Sequence, residues 1–187
     1  MSIMRDMEDI SKKLEYINKL SKFDPYRVKF VGEKKLKCPF WGNEYYAVLF
    51  TGKDRRCSPI QYGIREGKID SSGFNDQIER AAFSGWLKPW DVLVMSDTKI
   101  HTGGECSVNE DFLWNNYRIL VVYLPPRSPK YNPVTKIWKE VTHDLDRTRL
   151  NPYRSHDITH ATAYILDQFS HREIDRFYAE CYAECGL

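Results

Sequence analysis

Hydrophobic and polar positions along this chain repeat with two periods, and they divide it into helices and strands. Ile10, Leu14, Ile17 and Leu20 recur three or four apart with charges between them, which predicts an amphipathic helix over 2–22. Alternation over 28–31 (VKFV) predicts a strand ending at Gly32-Glu33. Residues 45–51 and 58–64 read as two further strands joined by the polar turn 52–56. Phe74, Ile78, Ala81 and Ala82 stripe a helix over 74–83, and Gly85 stops it. The apolar runs 92–95 and 118–124 read as buried strands. Pro125, Pro126, Pro129 and Pro133 then hold a rigid loop, because proline lacks the N–H a central strand needs. Asn132 is a good helix cap and Pro133 suits the first helical position. Val134, Ile137, Trp138, Val141 and Leu145 follow on one face. Helices over 157–169 and 171–185 complete the chain, the second burying Ile174, Phe177, Tyr178 and Cys181.

Three strands followed by alternating helices and strands predict an α/β fold: a central mixed sheet of about five strands with helices on both faces. Strands 28–31, 92–95 and 119–124 are expected to be central neighbours. At 187 residues, 42% hydrophobic and 29% charged, the chain is long enough for one well-filled core. No run of 18 apolar residues predicts a membrane span, and the first residues carry no apolar signal region. Five cysteines at irregular spacing point to reduced thiols, and so to cytoplasm or nucleus. The net charge of +2 hides an asymmetry. Residues 118–154 hold eight Lys/Arg against three Asp/Glu, and residues 155–187 hold two against six. A basic middle suits phosphate contacts.

Candidate chemistry centres on 92–138. Asp97 follows a buried strand, where open α/β sheets place their sites. Thr135, at the third position of the helix beginning at Pro133, is expected near the same mouth. Asp97-Thr98-Lys99-Ile100-His101 resembles the DN-x-x-IH segment of mariner-like DDE transposases. Residues 124–138, LPPRSPKYNPVTKIW, resemble their LPP-x-SP-x-LNPIE-x-x-W segment. The stretch FDPYR at 23–27 with VKFVGEKKL at 28–36 resembles FDP-x-R-x-x-FIDEK-x-L, and weaker similarity runs to the C-terminus. The resemblance implies a ribonuclease H-like fold for 23–187, with 1–22 as a linker helix. It also implies DNA as partner and two divalent metals, Mg or Mn, held by three carboxylates. Only about twenty residues precede the core, so the family's DNA-reading helical module is expected to be missing.

The sequence departs from that pattern at two of the three carboxylates. Asp97 matches the second and is the expected metal ligand, but the first position is Gly32 and the third is Thr135. Glu33 beside the first position is a candidate only if a bulge turns it, since successive strand residues face opposite ways. His101 matches the histidine of the family's IH pair, a catalytic candidate that reads equally as a hydrogen-bonded histidine beside a strand end. Arg127, Ser128, Lys130, Asn132 and Lys136 are the candidate nucleic-acid contacts, weighed against a turn that merely fixes the loop. The pairs His156/His160 and Cys181/Cys185 have ligand-like spacing but no further ligands, and read as ordinary helix residues.

The expected function is thus a transposase-derived, DDE endonuclease-like domain with a degenerate triad. It would bind metal weakly or not at all and contact DNA weakly and without sequence preference. The alternatives are an active Mg-dependent strand transferase or nuclease using Glu33, Asp97 and Glu140 or Asp144, and a structural or protein-interaction domain.

Overall fold

The computed structural model describes residues 2–37, 43–96, 104–148 and 157–187. Its element order is helix α1 (Ser2–Leu20), strands β1 (Val28–Lys37), β2 (Glu44–Gly52) and β3 (Ile60–Glu66), and helix α2 (Ser71–Phe83). Strand β4 (Val92–Ser96), helix α3 (Gly104–Tyr117) and strand β5 (Leu120–Leu124) follow. A 3-10 turn (Pro129–Tyr131) then leads into helices α4 (Pro133–Arg147), α5 (Asp157–Asp167) and α6 (His171–Cys185). The five strands form one sheet in the order β3-β2-β1-β4-β5. The first two pairings are antiparallel, and β1–β4 and β4–β5 are parallel. The expected mixed sheet, with β1, β4 and β5 adjacent, is therefore what forms, but β5 is its edge rather than a central strand, and Leu120 is exposed there.

Helices cover both faces. Val28, Phe30, Val92, Val94 and Val122 pack against α1, α4, α5 and α6. Val31, Val48, Phe50, Leu93 and Met95 pack against α2 and α3. Tyr178 of α6 is fully buried, and its hydroxyl lies 3.0 Å from Val28 O and 2.9 Å from Thr51 O. One phenol thus ties α6 to both β1 and β2, and burial pushes its pKa well above the usual tyrosine value. Replacing Tyr178→Phe removes the donor and leaves two buried carbonyls. The expected loss is about 1–3 kcal/mol, read from the urea midpoint of unfolding.

Two elements differ from their sequence reading. Strand β1 runs on to Lys37 rather than stopping at Val31, pairing one-for-one with β2 from Lys29↔Gly52 to Lys37↔Glu44. The polar stretch pairs because Leu36 still buries its side chain and Lys35 meets Glu44 across the strands. Helix α1 forms as expected, but Ile10 and Leu14 face solvent at 55% and 62% exposure. The helix docks through its last turns instead: Tyr16 stacks on Tyr131, and Leu20 is buried.

Candidate functional site

The middle of β1, just past its parallel pairing with β4, and the carboxyl end of β4 meet the start of α4 at a cavity of 290 Å³, bordered by Gly32, Ser96, Ser128, Asn132, Thr135 and Trp138. Asn132 builds this mouth. Its Oδ1 accepts from Val134 N at 2.9 Å, capping α4, and its Nδ2 donates to Val31 O at 3.4 Å. The helix is thereby fixed against β1 one residue before Gly32. The fit is close: a Cβ at Gly32 would lie 3.0 Å from Val134 Cγ1 and 3.7 Å from Asn132 Nδ2. Thr135 is exposed at the rim, with no acidic residue in the first turn of α4. Trp138 forms part of the wall, and its buried Nε1 has no hydrogen-bond partner among the described residues.

Gly32 and Thr135, far apart in sequence, therefore border one space, and the third wall is Ser96. Asp97 follows Ser96 directly, but Asp97 and His101 lie outside the described residues. Glu33 carries the one carboxylate among the described residues bordering this cavity. The unbroken β1–β2 register contains no bulge, so the turning that Glu33 would need does not occur. Glu33 stays on the face of Val31 and Val48, opposite Gly32. There its charge acts on Tyr46, whose pKa is raised first by burial and second by Glu33. Glu140 and Asp144 border a different cavity, with His160 and Glu173. No group of three or more His, Cys, Asp or Glu among the described residues could hold a metal ion. A pair of divalent ions needs several converging oxygen anions. Gly32 and Thr135 supply one neutral hydroxyl between them and Glu33 a single carboxylate, so the described donors do not fit such a pair.

The candidate phosphate contacts have intramolecular partners. Arg127, in a left-handed conformation at φ 54°, pairs with Asp9 of α1. Lys130 Nζ lies 2.6 Å from Glu184 Oε2, and Lys136 Nζ lies 2.8 Å from Glu180 Oε2, both on α6. Hydrogen bonding to Glu184 and to Glu180 raises the pKa of Lys130 and Lys136 respectively. Ser128 is buried and donates to Pro126 O at 3.1 Å, and Asn132 is buried at the cap, so both serve the loop. The acidic partners Asp9, Glu180 and Glu184 were not singled out by the sequence reading. The one signal for the latter two was the acidic balance of 155–187. Among the remaining candidates, His156 lies outside the described residues. Burial pushes the Cys181 thiol up to about 12 and Cys185 up to about 11, which keeps both protonated near neutrality.

The strand order, the helices on both faces and the cavity where the parallel pairing of β1 with β4 ends define a ribonuclease H-like fold. Among solved structures, this chain has the fold of the Mos1 mariner transposase catalytic domain. With that domain, solved with raltegravir and Mg, the TM-score is 0.70 at 13% identity, covering 96% of this chain and 94% of that one. With Mos1 transposase in its paired-end complex with the left transposon end, the TM-score is 0.71 at 11% identity, covering 94% of this chain. The chain spans 60% of the length of the transposase in that complex. A more distant likeness is to a simian T-cell lymphotropic virus intasome, with TM-score 0.51 and 13% identity over 76% of this chain and 47% of that one. No protein-family model and no curated protein matches the sequence. No helix among the described residues is long and apolar enough to cross a membrane.

Proposed function

We propose that this chain is a transposase-derived DDE domain of the mariner kind, with its strand-cleaving chemistry lost and a weak, sequence-independent affinity for DNA retained. The observation that carries the reading is the meeting of Gly32 and Thr135 in one cavity beside Ser96. The two of the three carboxylate positions of the resemblance that lack a carboxylate both border the space metals would occupy. Helix α1 is, in this reading, the linker that leads into the domain at residue 23.

DNA contact rests on Arg127, Lys130 and Lys136, which share the region of the cavity mouth. Their partners are carboxylates at or near the surface, so a phosphate competes with a screened ion pair rather than with water alone. That competition makes the affinity low and strongly salt-dependent. The double substitution Glu180→Gln and Glu184→Gln frees both lysines. It is expected to raise affinity for a short duplex on the order of tenfold at low salt and to steepen the salt dependence. Fluorescence anisotropy across a salt series measures both. Duplex affinity that ignores salt, or that the double substitution leaves unchanged, removes the phosphate-driven reading.

A further inference from the structure

At the amino ends of β4 and β5, the far end of the sheet from the cavity, two residues hold left-handed backbone without being glycine. Asp91 N donates to Lys88 O at 3.0 Å, Pro89 stands second in this turn, and Trp90 stands third with φ 72°. That is the pattern of a type II turn, whose third position favours glycine. Arg118 follows the last residue of α3 with φ 56°, and its N donates to Trp114 O at 3.1 Å. The sequence uses glycine in the matching place after α6, where Gly186 has φ 73°. Trp90 N donates to Arg118 O at 2.8 Å, so the two strained positions support each other.

Their side chains form one exposed group. Trp90 is 64% exposed and Trp114 41%, with ring centroids 6.0 Å apart and planes at 82°. The Arg118 guanidinium lies over the Trp114 ring at 5.6 Å. More cations surround the same turn: Arg27 reaches Pro89 O, and Lys88 precedes Pro89. The anions that pair with them, Asp91 and Asp54, are almost fully buried, at 2% and 9% side-chain exposure. Solvent therefore meets two partly exposed indoles in a cationic setting. Asp111 is the exposed acid one turn before Trp114.

We propose that this surface binds single-stranded nucleic acid, with bases stacking on Trp90 and Trp114 and phosphates meeting Arg118 and Arg27. Stacking needs a ring face but no particular base, and the guanidinium adds both planar stacking and phosphate contact. Buried anions beside outward cations complement a polyanion better than they complement an ordinary protein surface. The backbone supplies the independent argument: glycine suits both positions better, and the chain holds the two residue types that stack and pair with nucleic acid. The inference does not rest on the lost-chemistry reading, because it concerns the opposite end of the strands.

The test titrates the full chain with a ten-residue oligothymidylate and follows tryptophan fluorescence. Saturable quenching that weakens with salt is expected. Trp90→Gly and Arg118→Gly should each weaken binding about tenfold and leave the thermal midpoint unchanged or higher, since each relieves a left-handed residue. Trp90→Phe keeps a ring and should lose less, and Asp111→Asn should bind more tightly. Duplex affinity should be unchanged in Trp90→Gly, which separates this surface from the lysines at the cavity. Absence of quenching, or equal affinity in Trp90→Gly, overturns the proposal. A lowered midpoint in both glycine variants overturns the strain argument on which it stands. Self-association abolished by Trp90→Gly, with no oligonucleotide binding, makes the surface an interface between copies and likewise overturns it.

Discussion

Supercoiled DNA incubated with the unaltered chain and Mg²⁺ or Mn²⁺ is expected to stay intact, and calorimetric titration with Mn²⁺ to show no tight site. The reason lies in the donor set. Two-metal phosphoryl transfer needs anionic oxygens that offset the dehydration of both ions and hold them at their working separation. At the cavity, Gly32 offers no side chain, Thr135 offers a neutral hydroxyl, and Glu33, which also borders it, is a single carboxylate that strand alternation sets on the opposite face of β1. Restoring the carboxylates requires room as well as charge. A Cβ at Gly32 meets Val134 Cγ1 at 3.0 Å, so Gly32→Asp alone is expected to be strained. Val134→Ala removes that contact at a cost of about 1–2 kcal/mol for a buried side chain. The triple variant Gly32→Asp, Val134→Ala, Thr135→Glu should therefore bind Mn²⁺ at least tenfold more tightly than either carboxylate added alone, since the ligands act as a unit. Nicking by the unaltered chain that disappears in Asp97→Ala would instead establish an active site and reverse the functional proposal.

Asp91→Ala is expected to cost about 3–5 kcal/mol of stability. Its carboxylate is almost fully buried between β1 and β4, receiving Lys88 N at 2.8 Å and Lys29 Nζ at 2.9 Å. Arg27 adds a third contact at 3.4 Å. Lys29 is itself fully buried, with its ammonium over the Trp86 ring at 4.3 Å and bonded to Trp86 O. Removing Asp91 leaves that ammonium in a low-dielectric interior with a ring face and one carbonyl, which do not replace an anion. Adding Lys29→Met should recover most of the loss, because a thioether chain fills the same space without charge. Urea unfolding of the two single variants and the double variant, at constant slope, measures the coupling. A double variant no more stable than Asp91→Ala would show that the lysine's charge is not the source of the cost.

Local pattern fixed much of this molecule. Pro133 with Asn132 before it determined where α4 begins, because a residue without an N–H and a capping side chain are read within two positions. Helical spacing marked α6 over His171–Cys185 and its buried face. Apolar runs marked β4 and β5 as neighbouring strands but not that β5 would lie at the sheet's edge, and residue type alone shows that positions 32 and 135 carry no carboxylate.

Other features depended on partners distant in the chain, which no local window contains. Strand β1 continues to Lys37 because β2 lies beside it to accept the pairing. Ile10 and Leu14 match the helical period yet face solvent, since the period reveals an apolar stripe and not which side the sheet will meet. Lys130 and Lys136 looked available for phosphate until α6 brought Glu184 and Glu180 alongside, about fifty residues away in sequence. Trp90 and Arg118 were unremarkable as letters. They became one surface only when parallel pairing of β4 with β5 set their two turns side by side and hydrogen-bonded them.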